Sequence, residues 1–295
     1  MTVAILNASG CLDALVAPEV ARSLDAFVTK TITPEPREGN PPVRFAETDH
    51  GMLNSIGLQG PGIDAFADEY LPRLEELDVE LWVSVGGFSA ADYARCCERL
   101  DERPSVAAVE LNLSCPNVEE APETAAELVA AARQATKKPL YAKLSPAQWD
   151  IAAAARAVVD AGADGLSLVN TLRGLALDPQ TLAPLLGRAV GGYSGPGLRP
   201  VALGCVFACA SAVDVPIVGM GGVTAGLDAL ELVAAGASSV ALGTVLFSDP
   251  LAPGRVRREL AAEAVARGFQ DTLEARATAV VRSGKSLEIS ANSTA

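Results

Sequence analysis

Several residue types are scarce in this chain of 295 residues. There is one histidine, His50, so a Ser-His-Asp triad would depend wholly on it, and no nucleophile-elbow motif accompanies it. In Thr48-Asp49-His50-Gly51 it reads as a solvated loop residue. Six cysteines, Cys11, Cys96, Cys97, Cys115, Cys205 and Cys209, lack any framework spacing, so disulfides are not their expected use and a reducing cytoplasm fits. Cys96 and Cys97 fall within one helical stretch, and Cys205 and Cys209 share a helix face with no His nearby. No metal or iron–sulfur site is expected on this chain. No run reaches the ~18 to 20 apolar residues of a membrane span, because Asp, Glu or Arg interrupts every Ala/Val-rich segment. Positive charge is also short, 23 Lys and Arg against 36 Asp and Glu, and the net charge of −13 repels phosphate backbones. Nucleic acid is excluded as an expected partner. Ala8-Ser9-Gly10-Cys11 has a faint lipoprotein look, but no basic region or apolar segment of proper length precedes it, so the N-terminus reads as mature.

What the chain does have is a core. Hydrophobic residues make up 49% and charged residues 20%, which excludes intrinsic disorder. Eight short β-like runs alternate with Ala/Leu-rich helical stretches: Val3 to Asn7, Ala26 to Lys30, Leu81 to Val85, Ala107 to Leu113, Leu140 to Leu144, Gly165 to Val169, Pro216 to Gly219 and Ser239 to Leu242. Helices are expected at Ser89 to Leu100, Glu123 to Thr136, Asp150 to Ala161, Thr224 to Ala235 and Arg255 to Ala266, with Ser89 and Thr224 as N-caps. Eight such units predict a (β/α)₈ TIM barrel, one domain over residues 1–295. Two Gly- and Pro-rich connections, Thr31 to Ile63 and Thr171 to Pro200, follow strands and are expected as long loops at the C-terminal face, where such barrels keep their sites.

The ends of the runs carry the chemistry. Of seven Asn, five (Asn7, Asn54, Asn112, Asn117 and Asn170) sit at or just past apolar runs, and in a chain with five Lys against eighteen Arg, Lys30 and Lys143 each close a run. Lys is a compact point charge whose pKa moves, and Asn supplies donor and acceptor in fixed geometry, which suits a heterocycle with alternating C=O and N–H groups. Gly219-Met220-Gly221-Gly222 and Gly243-Thr244 follow the seventh and eighth runs, where barrels bind phosphate through backbone N–H groups. Cys115, in Asn112-Leu113-Ser114-Cys115-Pro116-Asn117, lies just past a strand. A thiol there is either a base or nucleophile, or a buried inert cysteine.

These segments together resemble a known family. Ala8-Ser9-Gly10, Val28-Thr29-Lys30-Thr31, Glu35-Pro36-Arg37 with Gly39-Asn40-Pro41, and Gly51 to Gln59 resemble class 1 dihydroorotate dehydrogenases. So do Glu110 to Asn117, Lys143-Leu144-Ser145-Pro146, Val169-Asn170-Thr171, Gly191 to Pro196 and Gly219 to Gly222, over about residues 3 to 275. Met52 to Gln59 resembles the branch that works with a separate iron–sulfur/FAD subunit and NAD. The resemblance implies an FMN-containing barrel that oxidises (S)-dihydroorotate to orotate in pyrimidine synthesis. By the same motifs, Cys115 would be the base at C5, and Lys143 would stabilise the reduced flavin. Lys30, Asn54, Asn112, Asn117, Asn170 and Thr171 would hold flavin or substrate. Ala8 and Ser9 would touch the flavin, with Gly195, Gly221, Gly222, Gly243 and Thr244 around its ribityl phosphate. It also implies a homodimer core.

Three departures stand out. The loop after Asn117 enters its helix almost at once through Val118-Glu119-Glu120-Ala121-Pro122, which shortens the lid over the substrate. The N-terminus lacks the usual leading strand pair, so the barrel bottom is expected to be open, and Gly60-Pro61-Gly62 stands where the family has Asn-Pro-Gly. Two alternatives follow: a flavin enzyme acting on another dihydropyrimidine or cyclic amide, or a non-flavin barrel binding a sugar phosphate as a lyase or isomerase, with Lys143 as Schiff base.

Overall fold

In a computed structural model of the chain, residues 2–113 and 124–280 are described. Twelve strands occur among them: β1 (Ala4–Asn7), β2 (Ala26–Val28), β3 (Phe45–Thr48), β4 (Gly51–Asn54), β5 (Glu80–Val85), β6 (Val106–Asn112), β7 (Leu140–Leu144), β8 (Gly165–Leu168), β9 (Leu172–Leu175), β10 (Val190–Ser194), β11 (Ile217–Met220) and β12 (Ser239–Leu242). Eight close a parallel barrel in the order β1-β12-β11-β8-β7-β6-β5-β2, and each matches one of the eight runs read from the sequence. The fold is the (β/α)₈ barrel.

Period-2 alternation assigns the two faces of each barrel strand. Ile5, Val83, Leu111 and Leu166 point outward and are fully buried under the helices. Burial of each such side chain contributes roughly 1.5 to 3 kcal/mol. Leu6, Val28, Trp82, Ala108, Val218 and Ala241 point inward and form a separate interior cluster. Trp82 stacks on Tyr141 with ring centroids 4.4 Å apart, and its indole N–H donates to Glu80 Oε1 at 2.7 Å. These rings sit near the starts of β5 and β7. They lie toward the bottom of the barrel, the end that the N-terminal sequence is expected to leave open.

Helices span Ala90–Asp101, Ala125–Ala135, Ile151–Asp160, Gly226–Ala234 and Ala252–Ala266, close to the expected ranges. Ser89 caps the first, accepting from the Asp92 N–H at 3.3 Å, and Thr124 forms a capping box with Glu127 on the second. Thr224 does not cap its helix, whose N-cap is Ala225. Instead Asp228 Oδ2 reaches back to accept from the N–H groups of Thr224 and Ala225, at 2.8 and 3.0 Å, and from the Thr224 hydroxyl.

The two long connections are not simple loops. Each carries a hairpin arm, and together they build an antiparallel sheet in the order β3-β4-β10-β9 over the C-terminal ends of the barrel. Its register lines up Phe45, Asn54, Gly192 and Arg173 as one row across four strands, with Met52 and Ser194 in the next row on the same face. Leu53 and Tyr193 face the other way. Gly192 is obligatory in that row, since a Cβ there would lie 2.1 Å from Thr171 Oγ1.

Candidate active site

Between the barrel's C-terminal ends and the antiparallel sheet lies a cavity of about 670 Å³, within the size range of small-molecule and cofactor sites. Its cationic lining is Lys30, Arg37, Arg44, Lys143, Arg173 and Arg188, and among the described residues no Asp or Glu lines it. In a chain of net charge −13, that concentration of positive charge at one mouth marks a site for an anionic ligand.

Same-face spacing on the strands builds the floor. Asn112 on β6 lies opposite Lys143 on β7, and Lys143 lies opposite Ser167 on β8. Asn112 Nδ2 donates to Thr31 Oγ1 at 3.1 Å, Thr31 pairs with Ser84 Oγ at 3.0 Å, and Asn170 Nδ2 donates to Asn112 Oδ1 at 3.0 Å. Asn170 Oδ1 in turn accepts from the Thr171 N–H at 2.7 Å. This chain of bonds fixes both amides, so each presents a set edge to a ligand. On the roof Asn54 Nδ2 donates to the Gly192 carbonyl at 3.2 Å, and Thr244 Oγ1 donates to Ser194 Oγ at 2.9 Å, tying the end of β12 to β10.

Two lysines enter from different sides. Lys143 is deeply buried, and its ammonium donates to Ser9 Oγ at 2.9 Å and pairs with Glu110 Oε1 at 3.4 Å. Lys30 donates to the Gln59 carbonyl. Burial, with the Arg44 guanidinium beside it, pushes the Lys30 ammonium down to about 8. Arg44 is itself held by Gln59 Oε1 at 2.7 Å and the Glu38 carbonyl at 3.0 Å, and Arg37 lies 4.7 Å over the Phe88 ring. The Cys11 thiol is also on the cavity wall, where burial pushes it up to about 11 against the pull of Lys143.

The turns after β11 and β12 complete the wall. Gly221 and Gly222 have φ of +125° and +79°, and a Cβ on Gly222 would lie 2.7 Å from Arg199 Cβ. The helix Gly226–Ala234 starts four residues later, but the N–H groups of Thr224, Ala225 and Gly226 at its start are already taken by Asp228 and Glu259, which leaves the glycine turns themselves as the backbone donors of this corner. With Gly195, Gly243 and Thr244 also on the wall, this corner has the donor chemistry of a phosphate site.

Of the residues singled out in the sequence, Ala8, Ser9, Lys30, Asn54, Asn112, Lys143, Asn170, Thr171, Gly195, Gly221, Gly222, Gly243 and Thr244 all line this one cavity. Cys115 and Asn117 lie outside the described residues, as does the shortened segment after Asn117. His50 is exposed, as expected. Two readings are corrected. Asn7 is fully buried away from the cavity, where its side chain accepts from the Val28 N–H and donates to the Val28 carbonyl, both at 2.8 Å, stitching β1 to β2. Because Leu6 faces the interior, the next residue must face outward. Gly219 likewise packs against Ala237 and Leu232 and not on the mouth. Missed altogether were Asn40, which is buried with Nδ2 donating to Ser55 Oγ at 2.9 Å, and Glu110. Glu110 stands two residues before Asn112 and shares its inward face, a face that the barrel assigns.

A barrel with an anion-receiving cavity, two buried-to-half-buried lysines and a phosphate-type corner defines a class of cofactor-dependent barrel enzyme. A model of the dihydroorotate dehydrogenase family matches residues 2–263, and the chain belongs to that family. It is 44% identical over 258 residues to the dihydroorotate dehydrogenase B (NAD(+)) catalytic subunit of Geobacillus kaustophilus, covering 83% of this chain and 82% of the relative. The protein of the same name from Pelobacter propionicus is 45% identical over 265 residues, covering 88% and 84%. Among solved structures, ligand-free DHODH from Eimeria tenella shares the fold at a TM-score of 0.77 and 23% identity, over 93% of this chain and 88% of that one. No helix among the described residues is long and apolar enough to cross a membrane.

Proposed function

We propose that this chain is an FMN-dependent dehydrogenase that oxidises (S)-dihydroorotate to orotate and passes the electrons to a separate iron–sulfur/FAD subunit, in the cytoplasm, as one barrel domain paired in a homodimer core. The observation that carries the reading is the cavity itself, which joins a phosphate-type glycine corner to a set of fixed amides and six cations, with no Asp or Glu among the described lining residues. FMN has the matching parts: a phosphate for Gly195, Gly221, Gly222, Gly243 and Thr244, and a ring with alternating C=O and N–H groups for Asn112 and Lys143. Ala8 and Ser9 would lie against that ring.

When bound, FMN supplies the acceptor for the hydride that leaves C6 of the substrate. Lys143 places positive charge, fixed by Ser9 and Glu110, where the ring gains negative charge. Lys30 answers the substrate carboxylate, and Asn54, Asn117, Asn170 and Thr171 hold the pyrimidine edge. Cys115 takes the C5 proton, and the electron pair of that C–H bond becomes the new C5=C6 double bond. The antiparallel sheet above the cavity excludes water from these groups.

Recognition of a carboxylate separates this reading from an enzyme acting on a neutral dihydropyrimidine. Titrated against the flavin-loaded protein, orotate should perturb the visible spectrum with an affinity at least about a hundredfold above that of uracil, the difference of one desolvated charge-assisted contact. Equal affinities would favour the neutral cyclic amide.

A further inference from the structure

We propose that Glu110 is a positioning residue that acts through Lys143, holding its ammonium in place and cancelling part of its charge so as to set the reduction potential of the bound flavin. The proposal rests on the flavin reading of the cavity. Glu110 lies on β6 between the inward residues Ala108 and Asn112, with a side chain 2% exposed, and among the described residues no Asp or Glu lines the cavity in front of it. A carboxylate so deeply buried inside a barrel is retained only with a partner. That partner is Lys143, whose side chain is 5% exposed, at 3.4 Å.

The geometry divides the work around the ammonium. Ser9 Oγ, at 2.9 Å, is a neutral acceptor on the cavity wall and orients Lys143 without altering its charge. Glu110 approaches from within the barrel and brings a full negative charge. The Cys11 thiol, a third group in the same wall, registers both: Lys143 draws it down and Glu110 pushes it back up. A flavin ring against Lys143 would feel the same partly cancelled field. A cation beside the ring favours its reduced, negatively charged form and raises its potential. The counter-ion trims that rise, which keeps the reduced flavin able to pass electrons onward.

The test is the midpoint potential of the bound flavin in the full-length protein and its Glu110→Gln variant, measured against reference dyes. The amide retains an acceptor for the ammonium and removes the negative charge. The two-electron equilibrium constant for reduction should rise roughly tenfold, a shift of about 30 mV upward. An unchanged or lower potential with flavin still bound overturns the proposal. Should Glu110→Gln fail to retain flavin, Glu110→Asp keeps the charge and must hold the wild-type potential to within about threefold in that constant, and a tenfold rise there overturns it equally. Failure of the flavin reading is visible separately, as a wild-type protein that binds no flavin.

Discussion

At the scale of single residues, the site depends on where two scarce lysines sit. Lys30, pushed down to about 8 by burial and by Arg44, carries its charge below that pH and loses it above. Because a lysine needs its proton to hold a carboxylate, the sign is fixed: the contribution of Lys30 to kcat/KM for an anionic substrate is complete well below pH 8 and is lost above it, by roughly tenfold at pH 9, as an alkaline limb separate from the acid limb of the Cys115 base, since kcat/KM reports the free enzyme. Lys30→Met should lower kcat/KM and remove that alkaline limb. A wild-type profile with no break near pH 8 would contradict the assignment. Lys30 and Lys143 were legible because each closes a β-run in an Arg-rich chain. Glu110 was not, because a single acid inside an apolar run looks like a strand-edge residue until the barrel's inward face is known.

At the scale of elements, alternation decides which polar residues reach the cavity. All eight barrel strands were legible from the repeated βα pattern, but their pointing was not, and Asn7 shows the consequence. It closes β1 on the outward face and bonds both backbone groups of Val28, so it joins two strands and touches no ligand. Asn7→Ala should orphan that N–H and C=O and cost about 2 to 4 kcal/mol, read as a lower urea midpoint with an unchanged slope and an unaltered flavin spectrum. A loss of flavin at unchanged stability would restore Asn7 to the site. The antiparallel sheet escaped notice for a different reason. Its four strands are four or five residues long and carry Gly51, Gly174, Gly191 and Gly192, a composition that reads as loop. Only pairing between two arms more than a hundred residues apart makes them strands.

At the scale of the whole molecule, the cavity opposes the global charge. A net charge of −13 alone would repel an anionic substrate, and added salt would then strengthen binding. Six cations around the cavity, with no acid among the described lining residues, reverse that expectation. Orotate affinity should weaken roughly two- to fivefold between low salt and 0.5 M salt. Strengthening would show that the global field governs.

Whether this cavity joins a flavin to dihydroorotate is read from the visible spectrum of the FMN-loaded protein during anaerobic addition of dihydroorotate. The oxidised flavin band should bleach as dihydroorotate is added. A band that remains oxidised under excess dihydroorotate would contradict it.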